Sequence, residues 1–533
     1  MCWGSQVNCH ILLTDTYYLA SWAKTILVIA WRISTVFPRF QRRYDPTYMG
    51  HRRKKVTVIV ATLTIIYLLA GWHFAFKETG AFDQTYGFPV LKGGDSYSYA
   101  FLAENLVRNR VYSSREEPPY TPEVLRSPGY SFFLAPFSFL FDSFIPVVFV
   151  QFFLVIVSSL LVYEMGRRLF SEKAGFVAAL VFGLNPAIIF YVSTILSDIL
   201  FVFLFLLSIY LLFFRFHASL PRLYLAAFFG MATLGYAILV RPAGLYSVGI
   251  IFPFVLWHYT RHIGIKRAVL IIFFSAIVFA SALLPWYLRN YYHSGSMTLS
   301  PIGPYTLLFY NVAGFLAGKE GGTMDSAKQK IKMDYFPGID TSELQTGLHA
   351  GRISALAKDY ILGDPVGYFL YHIRGSVNFF LASSFRDISN ESAVLRTFLL
   401  STPLLEEDNV SLKDYLKKDG IVKGSFAIAK SELLFTAERA WWFFIMILAF
   451  IAPVLFWKKP EKRELILLFF FLVGYFALIY GPVSYPRYRI ASEPFLILLA
   501  SGSLWFVGNA LRAKFSEVRK LSSSGERGKF HKS

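Results

Sequence analysis

The sequence predicts an all-α polytopic membrane protein, and three observations support this class. Of the 533 residues, 55% are hydrophobic and 16% are charged, and the mean hydropathy is +0.47. A soluble globule cannot cover an apolar surface of this extent. Apolar runs long enough to cross a bilayer recur along the chain, and the cations behind its net charge of +19 gather between those runs. The cations therefore indicate membrane topology, and no nucleic-acid partner is predicted.

Ten apolar runs are long enough, or nearly so, to cross a bilayer core, which takes roughly 17–25 residues. Tryptophan and tyrosine stand at the edges of many of them, as in the aromatic belts of membrane interfaces. We therefore predict a bundle of about ten transmembrane helices, within a range of roughly 10–13. The runs are approximately Val56–Phe76, Ile145–Tyr163, Ala174–Tyr191, Ile199–Phe214, Leu223–Val240, Ala243–Trp257, Ala268–Trp286, Ala440–Trp457, Leu465–Tyr480 and Ile490–Val507.

Lysine and arginine mark one side of the predicted bundle. Six loops carry more cations than acids, and all six fall on the same side if every run spans the membrane. The positive-inside rule assigns that side to the cytoplasm. The loops are 51–55, 164–173, 215–222, 259–267, 458–464 and 511–520.

The N-terminal extension, residues 1–48, does not fit this pattern. Its apolar run contains Lys24 and Arg32, and each costs roughly 2.5–3.5 kcal/mol near the middle of a bilayer. We predict that this extension is a mis-assigned start or a weak extra helix. The basic flank and first span then occupy residues 49–76.

Two long segments are predicted on the outer side. The first outer loop is 77–144; its apolar stretch 129–141 is too short to span easily and contains Pro136, so we place it along the interface. The second segment, 287–439, is an outer-face loop or cap region that contains a small outer domain. Six spans lie in 145–286 and three in 440–507, and a basic cytoplasmic tail follows at 508–533.

Charged residues at the outer helix ends are the candidate functional residues. Asp95 follows two glycines in 92-KGGDSYSYAFLAENL-106, and Asp198 lies in 193-STILSDIL-200. Arginines at these ends run against the cation bias of the chain, so each needs an anion, and a guanidinium suits phosphate or carboxylate. We predict that they gather around one phosphate, beside two acids that supply a base or a metal ligand. The arginines are Arg126, Arg241, Arg289, Arg487 and Arg489.

Simpler interpretations stay open for these residues. Asp95 and Asp198 are also natural N-caps for the helices that follow them. Arg241 and Arg289 could pair with those acids or reach toward lipid headgroups. Most of the abundant Phe and Tyr side chains are expected to face lipid, with sugar stacking by a few tyrosines as the alternative.

Several motifs, taken in their order along the chain, resemble the polytopic glycosyltransferases of the GT-C superfamily. They are GGDSYSYAFLAENL, RSPGYSFFLAPF, LSDILF, LVRPAGL, WYLRNYYHSG and RYRIASEPFLILL. The closest likeness is to the branch of protein O-mannosyltransferases and lipid A aminoarabinose transferases, and it covers most of residues 56–507. It implies a GT-C-like bundle with a large first outer loop and a small outer or periplasmic domain.

The resemblance also implies roles for individual residues. Asp95 would act as general base or orient the acceptor, and Asp198 matches a second acidic position. The carrier phosphate is assigned to Arg126, Arg241, Arg487 and Arg489, and further sugar or acceptor contacts to Tyr97, Arg289, Asn290 and Tyr488. The family's first loop often pairs two acids, whereas Ser96 follows Asp95 here. This departure puts a metal site in doubt, so no cofactor is predicted with certainty and a divalent metal stays an open alternative.

The predicted function is a membrane glycosyltransferase that takes a sugar from a polyprenyl-phosphate-linked donor and inverts the anomeric centre. Its acceptor would be a lipid, a glycan or a protein, and its site would face the outside or periplasm of a bacterial or archaeal cell (inner) membrane. The alternative is a transporter or flippase of lipid-linked sugars. Such carriers hold ionisable groups near mid-bilayer, whereas the charges here stand at span ends, which favours the enzyme.

Overall fold

The computed structural model of the chain describes residues 46–71, 93–141, 143–214, 220–385 and 421–527. Every regular element in these segments is helical, which confirms the predicted all-α class. The predicted extension 1–48 lies outside the described residues except for its last three.

The helices are α1 (Pro46–Gly71), α2 (Gly93–Arg108), α3 (Pro128–Phe141), α4 (Ile145–Leu169), α5 (Glu172–Gly183), α6 (Pro186–Tyr191), α7 (Ser197–Phe214), α8 (Leu220–Val240), α9 (Val248–Ile263), α10 (Ile265–Ser294), α11 (Ile302–Thr306), α12 (Ala313–Glu320), α13 (Met324–Tyr335), α14 (Thr341–Leu344), α15 (Ala350–Gly363), α16 (Pro365–Leu381), α17 (Ile421–Leu455), α18 (Pro460–Tyr480), α19 (Pro486–Arg489) and α20 (Glu493–Arg527). A 3₁₀ turn, Pro242–Ser247, precedes α9, and a π-helical turn, Leu307–Val312, joins α11 to α12.

Among the described residues, eight helices are long and apolar enough to cross a membrane. They are α4, α7, α8, α9 with its 3₁₀ turn, α10, α17, α18 and α20. The chain is therefore a multi-pass integral membrane protein. Helix α1 and the pair α5–α6 occupy the places of the other two predicted runs.

The run Ala174–Tyr191, predicted as a single span, is broken into α5 and α6. Asn185 caps α6, because its side-chain oxygen accepts from the backbone N–H of Ala187 at 3.0 Å. Pro186 has no N–H to continue the hydrogen-bond ladder of α5. The prediction erred because it used hydropathy and gave no weight to this Asn-Pro pair.

Loops that the cation pattern placed on one side meet at one end of the bundle. Lys55 pairs with Glu172 at 2.9 Å, and Arg168 donates to the carbonyl oxygen of Phe214 at the end of α7. Arg261 lies 3.6 Å from Glu464, which joins the loops after α9 and α17. We call this the basic end. That the basic end faces the cytoplasm stays a prediction.

One large hydrophobic core runs through the bundle. Helix α4 lies within this core, against α1, α5, α7 and α20. Of its most apolar 18-residue stretch, 72% is buried. Helix α10 lies at the periphery, since only 22% of its most apolar 18-residue stretch is buried. In a membrane protein such exposed apolar side chains face lipid.

The cap, residues 302–363, has a hydrophobic core of its own. Its short helices bury Phe309, Phe336 and Ile353 against one another. Helix α16 follows the cap: its Tyr368 belongs to the cap core, whereas its Phe379 packs in the bundle and stacks on Tyr480. One helix thus connects the two cores.

Candidate active site

Asp95 lies in the first turn of α2, at the end of the bundle opposite the basic end. Its Oδ1 accepts from Nη2 of Arg126 at 2.6 Å, and its Oδ2 accepts from Nη1 of Arg487 at 2.9 Å. The aspartate is the third residue of the helix, and both its oxygens face guanidinium groups from distant parts of the chain. Its side chain is 37% exposed, which leaves it open to a ligand.

Asp198 is the second residue of α7 and is deeply buried. Its Oδ2 accepts from Nε of Arg487 at 2.7 Å, and its Oδ1 accepts from Nη1 of Arg241. The side chain is 4% exposed. Its negative charge at a helix N-terminus is favourable because the helix dipole is positive there.

These contacts form one alternating row of charges, Arg126–Asp95–Arg487–Asp198–Arg241, which we call the ion row. Arg487 is its centre, because its single guanidinium bridges both aspartates. Three cations against two anions leave one positive charge. The predicted convergence of distant arginines on a common location is therefore present for three of the five arginines that the sequence singled out.

The close approach of α3 to the end of α8 brings Arg126 and Arg241 near each other. A Cβ atom on Gly129 would collide with the backbone of Leu239 and Val240, so only glycine fits at this contact. The hydroxyl of Tyr236 donates to the carbonyl oxygen of Gly129 at 2.9 Å and fixes the same contact. Each arginine lies within three residues of it.

Aromatic rings support the arginines. The guanidinium of Arg126 lies 5.4 Å from the ring centroid of Tyr99. Tyr480 and Tyr488 stack with their centroids 4.5 Å apart, and Arg241 lies over Tyr488 at 5.4 Å. The Tyr480 hydroxyl also accepts from Nε of Arg241 at 2.9 Å. Cation–π contacts and this hydrogen bond hold the guanidinium groups in place.

The ion row stays charged at neutral pH. Burial raises the pKa of the Asp95 carboxyl, but the positive charges of Arg126 and Arg487 outweigh it, so the pKa lies below its ordinary value of 3.8. The two aspartates likewise outweigh burial and raise the pKa of Arg487. Asp95 is therefore ionised, and both its oxygens are engaged.

Arg489 is not part of the ion row. Its side chain is fully buried; Nε donates to Glu493 at 3.0 Å, and Nη1 donates to the carbonyl oxygens of Phe380 and Ala382. The ring of Trp442 lies 3.9 Å from its guanidinium. The structure thus places Arg489 in a buried contact with the end of α16, away from the place where a carrier phosphate is predicted.

The predicted sugar and acceptor contacts are placed differently from one another. The ring of Tyr488 lies next to the ion row, 5.4 Å from the guanidinium of Arg241. Arg289 donates to the carbonyl oxygen of Glu123 at 2.7 Å and lies 4.4 Å from the Trp286 ring, so it braces the segment that precedes Arg126.

Asn290 and Tyr97 differ in their surroundings. Asn290 is fully buried and donates to the carbonyl oxygens of Thr298 and Leu299. Tyr97 is partly buried and packs against the bundle core. The structure thus places Asn290 in buried hydrogen bonds near the end of α10 and Tyr97 two residues after Asp95 on α2.

A family comparison adds independent information. Residues 125–286 match the family model described as "Dolichyl-phosphate-mannose-protein mannosyltransferase". The matched segment contains three residues of the ion row, Arg126, Asp198 and Arg241. The matched segment is under a third of the chain, and it resembles this mannosyltransferase family. The match agrees with the resemblance to protein O-mannosyltransferases that the sequence motifs indicate.

Several solved structures are similar to this chain. This chain is 16% identical to the archaeal oligosaccharyltransferase AglB from Archaeoglobus fulgidus, with a TM-score of 0.46, over 87% of this chain and 52% of that chain. It therefore spans about half the length of that enzyme. The ArnT enzyme from Cupriavidus metallidurans, bound to undecaprenyl phosphate, is 14% identical with a TM-score of 0.35, over 84% of this chain and 77% of that one.

A third similar structure is the arabinosyltransferase EmbB from Mycobacterium smegmatis, which is 14% identical with a TM-score of 0.35, over 90% of this chain and 43% of that one. A search of proteins of curated function found no match.

The charged residues of the candidate site do not fit a divalent metal in the arrangement observed. Within the described segments, no group of three or more His, Cys, Asp or Glu side chains could hold one. Both aspartates of the ion row give their oxygens to guanidinium groups.

Sequence reasoning missed the residues that support the site. Gln151 is fully buried in α4; its amide donates to the carbonyl oxygens of Val192 and Thr194, and its oxygen accepts from Tyr130. It thereby fixes the turn that leads to Asp198. A glutamine inside an apolar span is a detectable signal, because buried polar groups in membranes need partners.

Proposed function

We propose that this protein is a glycosyltransferase that moves a sugar from a polyprenyl-phosphate-linked donor to an acceptor hydroxyl at the outer face of the membrane, with inversion at the anomeric carbon. The observation that carries this proposal is the ion row: its carboxylate Asp95 is 37% exposed, and its net charge is positive. A phosphodiester, which is a monoanion, matches that charge.

The arginines of the ion row would hold the carrier phosphate. Arg126 and Arg487 are each 18% exposed, and both already face the ligand-accessible Asp95. When the sugar leaves, the bond between the anomeric carbon and the phosphate oxygen breaks, and its electron pair stays on the phosphate. The phosphate charge then grows from −1 to −2, so fixed cations favour the transition state over the ground state.

Asp95 would take the proton of the acceptor. The acceptor oxygen attacks the anomeric carbon from the face opposite the phosphate and passes its proton to a carboxylate oxygen of Asp95. A carboxylate bound by two guanidinium groups is a weak base. A donor phosphate that draws one arginine toward itself would free an oxygen of Asp95 and raise its basicity. Donor binding and base activation would then be one event.

Asp198 would act through Arg487 and Arg241. It is too buried to meet an acceptor, and its two oxygens orient both guanidinium groups. We therefore assign it a positioning role in place of a direct catalytic one. The stacked rings of Tyr480 and Tyr488 would lie behind the bound phosphate.

The test is Asp95→Asn in full-length enzyme reconstituted into liposomes with undecaprenyl- or dolichyl-phosphate-linked hexoses and pentoses. General-base catalysis contributes about 10²–10⁴-fold, so we expect the rate of sugar transfer to fall by about that factor, with unchanged folding. Asp325→Asn is the matched control, since Asp325 is 85% exposed in the cap. Full activity of Asp95→Asn with a verified donor would sink the assignment of the base.

A further inference from the structure

A groove lies at the basic end, far from the ion row. Helix α18 runs from Pro460 at this end to Tyr480 at the ion row, and its 21 residues span about 30 Å at ~1.5 Å per residue. The groove has a volume of about 640 Å³. It is lined by the end of α17, by the turn before α18 and by one side chain of α20: Pro453, Val454, Leu455, Trp457, Lys458, Lys459 and Phe506.

Four cations stand within six residues at this groove. Lys458 and Lys459 line it, and Lys462 and Arg463 follow in the first turn of α18. The nearby Glu464 is buried and is engaged by His258 at 2.7 Å. Glu461 is exposed and is the one acid among residues 458–463. The stretch therefore carries a net charge of +3, and in the described part of the chain no carboxylate lies in ion-pair contact with these four cations.

Aromatic rings hold two of these cations beside the groove. Lys462 lies 5.1 Å from the ring centroid of Trp505, and Arg463 lies 5.3 Å from that of Trp457. Trp457 is itself 56% exposed. Tryptophan beside lysine is typical of the level of lipid headgroups. The cations are thus gathered at the depth where phosphate groups of a membrane lie.

The floor of the groove is apolar. Val454 is 76% exposed, and Phe506 and Leu455 are partly exposed next to it. A free phosphate ion or an acidic peptide would leave this floor uncovered. A ligand that joins an anionic head to a hydrocarbon chain would cover both parts.

We propose that this groove binds one anionic phospholipid from the leaflet opposite the ion row. Its phosphate would lie among the cations of residues 458–463, and the first methylene groups of one acyl chain would cover Val454 and Phe506. The attraction between an anionic membrane surface and each nearby lysine or arginine supports this assignment. The proposal does not depend on the sugar-transfer function.

The test uses the full-length protein in phosphatidylcholine nanodiscs with increasing fractions of phosphatidylglycerol. Native mass spectrometry counts the phosphatidylglycerol molecules that stay bound. The test variant is Lys458→Gln/Lys459→Gln, and the control is Lys266→Gln/Arg267→Gln, because these two cations are equally exposed at the basic end but do not line the groove. We expect retention to fall about 10–30-fold in the test variant and less than about threefold in the control.

Three outcomes would overturn the proposal. An equal loss in both variants would mean diffuse attraction to the surface charge, and no loss in either would mean that the groove is not the binding site. Full displacement of the lipid by soluble glycerophosphoglycerol would mean a headgroup site without a role for the apolar floor. Size-exclusion profiles and thermal midpoints in pure phosphatidylcholine verify that both variants are folded.

Discussion

Arg487 and Arg489 stand two residues apart on the same short helix, yet their surroundings are opposite. Arg487 bridges two aspartates at an accessible site, with 18% of its side chain exposed. Arg489 has no exposed surface and binds Glu493 and the last carbonyl oxygens of α16. Residues i and i+2 of a helix do not share a face. One short helix thus presents one arginine to a ligand and uses the other to attach itself to the bundle.

An arginine at a helix end therefore indicates a functional site only when the carboxylate that it pairs with is also known. The carboxylate that meets Arg489 is four residues away on the same chain segment, as expected for a local structural pair. The carboxylates that meet Arg487 come from α2 and α7, which are distant in sequence. Ion pairs between residues that are distant in sequence therefore distinguish the candidate active site from a local structural contact.

The largest effect is expected from Arg489→Met, which removes the buried cation and leaves Glu493 without it. Breaking a buried ion pair by removing one partner costs about 3–5 kcal/mol, so the free energy of unfolding should fall by about that amount. Thermal or denaturant unfolding in detergent measures it. The double variant Arg489→Met/Glu493→Met should recover most of the loss. A stable Arg489→Met protein without transfer activity would contradict the structural role.

A slightly smaller effect, on catalysis instead of stability, is expected from Arg487→Gln. Loss of one preorganised charge that faces the developing phosphate charge costs about 10²–10³-fold in kcat. Stability should change less than in Arg489→Met, because both aspartates keep one guanidinium each. Exposed Arg374 on α16 offers the matched control, Arg374→Gln. Equal activity of Arg487→Gln and this control would remove Arg487 from the site.

The smallest effect is a shift of the pH profile in Arg126→Gln. In the native protein the pKa of Asp95 is held below 3.8, so the carboxylate stays ionised, and active as a base, until the pH falls below that value. Without Arg126 one stabilising charge is lost and the pKa of Asp95 rises, so the acid limb of kcat/KM moves up by about 1 unit. Rates measured from about pH 3 to 7 show it. An unmoved limb would mean that Asp95 is not the titrating base.

Much of the site was predictable from sequence because topology restricts where charges can lie. Asp95, Asp198, Arg126, Arg241 and Arg487 were all found as charged residues at helix ends on one side, and the structure joins all five. The pattern did not separate Arg487 from Arg489, since it treated 485–489 as a turn without helical faces. The buried location of Asn290 also escaped it, because its partners in residues 298–299 follow an irregular segment.

The fold was predictable to the same degree and for the same reason. Hydropathy identified the long spans, which depend on the sum of many side chains. It did not find the break at Asn185, which depends on one capping oxygen and one missing N–H. It also gave no sign of Gln151, whose hydrogen bonds fix the turn before Asp198.

The order of charges along the ion row affects which ligands this site can bind. Both terminal members of the row, Arg126 and Arg241, are cations. A row that ended in carboxylates would recruit magnesium or calcium from solution; one that ends in guanidinium groups repels them at either approach. The site therefore favours negatively charged ligands, whatever their shape.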